Sequence, residues 1–245
     1  MLTVWGRQSS SNVQALMWCI GELDLPYKRH DAGHHYGGTD TPEFLAMNPN
    51  GTVPVLRDGS GEPLWETGAI LRYLAGRYSA ASFWPGEGPA RAHVDRWAEW
   101  AKINVTLGFT APIFWRVVRT APSKQDPAAI TQAVGKLDGV LDIAEAQFAT
   151  GAFLAGDDFT LADIQLGHVL YRYFDIAISR RDRPALRRYS GPRTHVSVGD
   201  ILTIGRFDEA HADSERPHVA VSPPIHGKVS PRHSAGAFLD HRRPA

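Results

Sequence analysis

Residues 48–56, Asn-Pro-Asn-Gly-Thr-Val-Pro-Val-Leu, put a proline where a strand is starting. Asn-Pro-Asn-Gly is a strong turn signal, and Val53 to Leu56 reads as a buried strand. Pro54 has no N–H to give to a ladder. Taken alone, it reads as an ordinary trans proline at a sheet edge.

The pattern around that turn alternates between two periods. Leu2 to Trp5 is a short strand, and Val13, Leu16, Met17, Ile20 and Leu23 then recur at the spacings of an amphipathic helix. A second extended segment follows Leu25-Pro26-Tyr27. Thr41-Pro42-Glu43 opens a short helix with a cap residue and a proline in its first turn. Strand 53–56 leads through the loop Arg57-Asp58-Gly59-Ser60-Gly61 to Leu64-Trp65, and a further helix begins near Gly68. The expected order is strand, helix, strand, helix, strand, strand, helix, over residues 1–80.

Residues 81–89 form a linker, rich in Gly and Pro from Ser82 to Pro89, and from Ala90 to about Tyr189 only helical periods remain. Val94, Trp97 and Ala101 mark one stripe; Ile130, Val134, Leu137, Leu141, Ala144 and Phe148 mark another. Phe159-Thr160-Leu161-Ala162-Asp163-Ile164 fits a capping box with a hydrophobic staple, which predicts a buried, structural helix. Residues 190–245 break with this. They hold six of the eleven histidines (195, 211, 218, 226, 233, 241) and sustain no period, so disorder is expected there, and a shifted reading frame would explain the break.

Composition narrows the function. The 26 Lys and Arg balance the 26 Asp and Glu, which gives no reason to expect nucleic acid or an anionic membrane as partner. No apolar run approaches the roughly 20 residues of a membrane span, and Met1 to Arg7 is not a signal peptide, so a cytoplasmic location is expected. The single Cys19, inside the first helix, leaves no internal disulfide and reads as a packed residue. His30, His34 and His35 have no paired cysteine or carboxylate spacing, and no metal is expected.

A mixed strand-helix third followed by an all-helical remainder is the plan of the soluble glutathione transferases. The chain resembles their bacterial cytosolic members over about residues 1–189, through "LTVWGRQSSSNVQALMW", "FLAMNPNGTVPVL", "LWETGAILRYLAGRY", "RAHVDRWAEW", "VVRT" and "FLAGDDFTLADI". The resemblance implies a thioredoxin-like α/β domain over 1–80, an all-α helical bundle over 90–189, and a cis peptide before Pro54. It also implies glutathione as co-substrate, a small hydrophobic electrophile as second substrate, and a homodimer. In the family, the backbone of the residue matching Val53 pairs with the cysteinyl unit of glutathione as an added strand.

The same resemblance places the other site residues. Glu66 would pair with the γ-glutamyl ammonium and Thr67 with its carboxylate at a helix start. Ser10 matches the catalytic hydroxyl of serine-type members, and Asn12 an asparagine that some bacterial classes use instead; Ser11 is expected to cap the helix. Either Ser10 or Asn12 would stabilise the thiolate. With no cysteine at 9–11, mixed-disulfide chemistry through the protein is disfavoured. Thr52 replaces the Lys or Gln that many members use for the glycyl carboxylate, which implies either weaker affinity or a positive charge supplied by His34, His35 or Arg7. Asn104, Leu107, Ala111 and Trp115, at spacings of 3 and 4, are expected to line the electrophile's side, although core packing fits that spacing equally. A glutathione-dependent disulfide or peroxide reductase and a non-catalytic binding protein on the same fold are the rival readings.

Overall fold

The computed structural model describes residues 1–79 and 81–190. The tail expected to be disordered lies, from Gly191 on, outside the described residues. β1 (Leu2–Trp5) runs parallel to β2 (Tyr27–His30) and antiparallel to β3 (Val55–Asp58), which is followed by the short antiparallel β4 (Leu64–Trp65). The sheet order is β2-β1-β3-β4. The ladder pairs Trp5 with Val55, so Pro54 stands one residue ahead of it and its missing N–H costs no ladder bond. The Val53–Pro54 peptide is cis.

α1 (Ser11–Glu22) connects the parallel strands, as such a crossover requires. The period predicts a one-sided apolar stripe, yet every residue from Val13 to Ile20 is buried. The reason is that α1 packs against both α3 (Thr67–Tyr78) and α7 (Leu161–Asp175), and a helix covered on all sides has no polar face. Gly167 on α7 makes that approach possible, because a Cβ there would lie 2.7 Å from the Trp18 ring. α2 (Pro42–Met47) starts as its sequence dictates, with the Thr41 hydroxyl accepting the N–H of Phe44.

The remainder is helical. α4 (Gly88–Trp100) begins inside the expected linker and continues through wide π turns at Ala101–Thr106 and Thr110–Arg119, on either side of α5 (Leu107–Phe109). α6 (Pro127–Thr150) carries the second expected stripe, with Val134, Leu137, Leu141, Ala144 and Phe148 all buried. The capping box forms at α7: the Thr160 hydroxyl accepts from Ala162 N–H at 3.3 Å, and the Asp163 carboxylate accepts from Thr160 N–H at 2.9 Å. α8 (Pro184–Ser190) is capped by Glu145, whose carboxylate accepts the N–H groups of Ala185 and Leu186. One continuous cluster of buried side chains runs from Leu2 through α1, α3 and α7 to Tyr189. No helix among the described residues is long and apolar enough to cross a membrane.

Candidate active site

The loop from β1 to α1 is held at both ends. Gly6 N–H donates to the His30 carbonyl and Arg7 N–H to Ala32, while Arg29 donates to the Gly6 carbonyl at 2.7 Å. The chain then turns, Ser10 N–H to Arg7 C=O, and enters α1. Ser10, not Ser11, stands at the cap position, and its hydroxyl makes no capping bond. The first N–H groups of α1 therefore lack the usual side-chain acceptor, and Ser10 keeps its hydroxyl for another partner.

A second loop faces this one. Asn48, 1% exposed, donates to the Thr52 carbonyl at 2.8 Å and accepts from Asn50 N–H, which fixes the turn ahead of Val53. Val53 lies outside the ladder, and among the described residues no hydrogen bond reaches its N–H or C=O. Ser9 to Asn12, Thr52 and Val53 line one cavity of about 280 Å³. Phe109, Phe114 and Trp115 line it as well, as do Arg7, Arg119 and Arg172.

Of the residues expected at the site, Ser10, Asn12, Thr52, Val53 and Trp115 line this cavity. Pro54 adjoins Val53. His34 lines it but His35 does not; the two Nδ1 atoms are 3.2 Å apart. Glu66 and Thr67 start α3, Thr67 buried as its first residue and Glu66 exposed with φ of 66°, a backbone value uncommon for a residue with a side chain. Asn104, Leu107 and Ala111 are not on the cavity wall. Leu107 is 58% exposed, and Asn104 lines a separate surface cavity with Gly108 and Pro112. Asn104, Leu107, Ala111 and Trp115 share the exposed side of this segment, while Val105, Phe109 and Ile113 take its buried side, so the spacing marks a solvent face of which only Trp115 reaches the cavity.

Sequence reasoning missed Phe109, Phe114, Arg119, Arg172 and Lys102. One signal was available: Gln165, His168 and Arg172 recur at spacings of 3 and 4 on the apolar α7, and a polar stripe on a buried helix has to face something polar. Arg172 donates to the Ser9 carbonyl at 2.9 Å, and Tyr171 to the Gln14 side chain at 2.6 Å. Lys102 donates to Asn12 Oδ1 at 3.2 Å. Burial lowers the Lys102 pKa, opposed by the carboxylates of Glu66 and Glu99. Burial likewise pushes His168 down to about 3, aided by the Lys102 and Arg172 charges.

The arrangement suits an anion. A helix start with open N–H groups, flanking guanidinium groups and hydroxyl or amide donors all favour a thiolate over a thiol. Cys19 does not supply that thiol: it is fully buried, and burial raises its pKa. Among the described residues no group of three His, Cys, Asp or Glu could hold a metal ion.

Comparison with known proteins agrees with this geometry. Residues 1–76 match the model of the glutathione S-transferase N-terminal domain, and residues 127–191 that of its C-terminal domain. Glutathione S-transferase GstB of Escherichia coli K12 is 36% identical over 190 residues, which span 77% of this chain and 91% of that protein. Glutathione S-transferase 3 of Zea mays is 33% identical over 66% of this chain and 73% of its own. Among solved structures, a theta class glutathione S-transferase of Xanthomonas axonopodis pv. citri with glutathione bound is 39% identical. It superposes with a TM-score of 0.72 over 77% of this chain and 90% of that one. A thioredoxin-like sheet, a helical remainder and an anion-favouring cleft at the start of α1 thus accompany a relative that aligns almost end to end, and the chain belongs to the glutathione S-transferase family.

Proposed function

We propose that this glutathione transferase binds glutathione along the cleft between α1 and the turn at Thr52, and conjugates it to small hydrophobic electrophiles such as alkyl or aryl halides. The cysteinyl unit pairs with the N–H and C=O of Val53 beside Pro54, its sulfur next to Ser10 and Asn12. Glu66 takes the γ-glutamyl ammonium and the start of α3 at Thr67 its carboxylate. Arg7 and His34, with His35 behind it, supply beside Thr52 the charge for the glycyl carboxylate. In the reaction the thiol proton passes to solvent, the sulfur lone pair forms the new S–C bond, and the halide leaves with its bonding pair.

The observation that carries this reading is the placement of Ser10 and Asn12 on the wall of the cavity that Val53 also lines. The aromatic wall of Phe109, Phe114 and Trp115 gives the electrophile an apolar surface. Residues 1–80 would carry the glutathione half and 90–189 the electrophile half. The chain would act in the cytoplasm as a detoxifying homodimer.

Turnover of a haloarene with glutathione, followed in wild type, Ser10→Ala and Asn12→Ala, tests the proposal. At least one variant should lose tenfold or more in kcat while still binding glutathione. Activity on mixed disulfides without any on halides would mark a reductase, and neither activity despite glutathione binding would mark a binding protein.

A further inference from the structure

Two side chains, Ser10 and Asn12, compete for the role of donor to the glutathione sulfur, and the cleft itself distinguishes them. Lys102 lies in the wide turn that follows α4, with its ammonium 3.2 Å from Asn12 Oδ1. An ammonium group has only hydrogens to offer, so the fork of the Asn12 amide that it meets must be the carbonyl oxygen. The other fork, the NH₂ group, has only hydrogens to give. Among the described residues it has no hydrogen-bond partner, and Asn12 is on the cavity wall. Ser10 is not committed in this way, because its hydroxyl caps nothing and can turn either to donate or to accept.

We propose that Lys102 is a positioning residue for the transferase reaction: by holding the Asn12 carbonyl, it commits the Asn12 amide N–H to the sulfur of bound glutathione. The proposal rests on the reading that this sulfur lies at the start of α1. It deepens that reading by naming Asn12 as the thiolate's side-chain donor and Lys102 as the group that orients it.

Burial lowers the Lys102 pKa, and the charges of Glu66 at the start of α3 and Glu99 on α4 oppose that shift. Arg72 on α3 holds Glu99 in place at 2.7 Å and Asp95 at 2.7 Å. On α7, His168 feels the Lys102 charge and stays neutral, and Arg172 adds positive charge beyond it. Wide helical turns of this kind are frequent at functional sites.

The test is the pH titration of thiolate absorbance in the glutathione complex, with kcat and the KM for glutathione, in wild type, Lys102→Met, Lys102→Arg, Asn12→Ala and the Lys102→Met/Asn12→Ala double variant. Lys102→Met should raise the apparent pKa of the bound thiol by about one unit and lower kcat, with KM for glutathione changed less than about threefold. Lys102→Arg, which keeps a donor, should restore most of the loss and serves as the check on folding. The double variant should be no worse than Asn12→Ala, because both changes remove the same hydrogen bond to sulfur. Effects that add independently, or a thiol pKa that Lys102→Met leaves unchanged, would overturn the positioning role. A wild-type complex that forms no thiolate would instead overturn the reading on which it rests.

Discussion

Arg172 on α7 donates to the backbone carbonyl of Ser9, 2.9 Å away, and so ties the helical half of the molecule to the loop that delivers Ser10. The arginine is buried, with a second hydrogen bond to the His168 carbonyl. Hydrogen bonds from charged groups contribute about 1.5–3 kcal/mol each. Arg172→Ala should therefore lower stability by about 2 kcal/mol and kcat/KM by tenfold or more, as the Ser9 loop loses its tether. Arg172→Lys should recover only part of both, since a lysine cannot reproduce the guanidinium fork. Denaturant unfolding and steady-state kinetics on the same preparations check this; unchanged kcat/KM in Arg172→Ala would contradict it.

His168 makes stability depend on pH. Its Nδ1 donates to the Ile164 carbonyl, its Nε2 is buried without a partner among the described residues, and its folded-state pKa is about 3 against the ordinary 6.5. The unfolded chain thus binds this proton more readily. The stabilising contribution is whole above pH 6.5 and is lost as pH falls from there toward 3, at up to about 1.4 kcal/mol per unit. Urea midpoints should show a loss of about 2 kcal/mol between pH 7 and pH 5, and His168→Gln should flatten that slope.

Asp163 accepts four hydrogen bonds: from Leu154 N–H and the Tyr189 hydroxyl on one oxygen, and from Thr160 N–H and its hydroxyl on the other. Burial raises its pKa, and these donors oppose that rise. Asp163→Ala leaves the donors buried and unpaired, and should cost on the order of 3 kcal/mol or more. Asp163→Asn should be nearly as harmful, because its NH₂ group would face donors. Thermal unfolding of both variants measures the effect.

Gly167→Ala sets two magnitudes against each other. Alanine improves helix propensity by about 1 kcal/mol, while overpacking a filled core costs about 1–3 kcal/mol. The Trp18 ring cannot easily retreat, since it is buried and its Nε1 donates to Glu22 at 2.8 Å. Overpacking should win, with net destabilisation in equilibrium unfolding; a stabilised variant would show that α1 and α7 can separate at little cost.

The strand and helix order was legible because period and turn chemistry agreed from Leu2 to Tyr78, and the capping box announced α7. Ser10, Asn12, Thr52 and Val53, which the family resemblance groups together, do line one cavity, but that grouping came from the resemblance and not from any local period. The aromatic wall was not legible. A spacing of 3 and 4 marks a common face without saying what that face meets, and Asn104, Leu107 and Ala111 turn to solvent while Phe109 and Phe114 turn inward. Lys102 and Arg172 reach the site only through contacts across 90 and 163 positions of chain, which no local pattern encodes.

Glutathione bound with its sulfur at the start of α1 should enter as a thiol and remain as a thiolate, so binding should release protons. Isothermal titration at neutral pH in two buffers of different ionisation enthalpy counts them. A release approaching one proton per site is expected. Binding without proton release would contradict the placement of the sulfur beside Ser10 and Asn12.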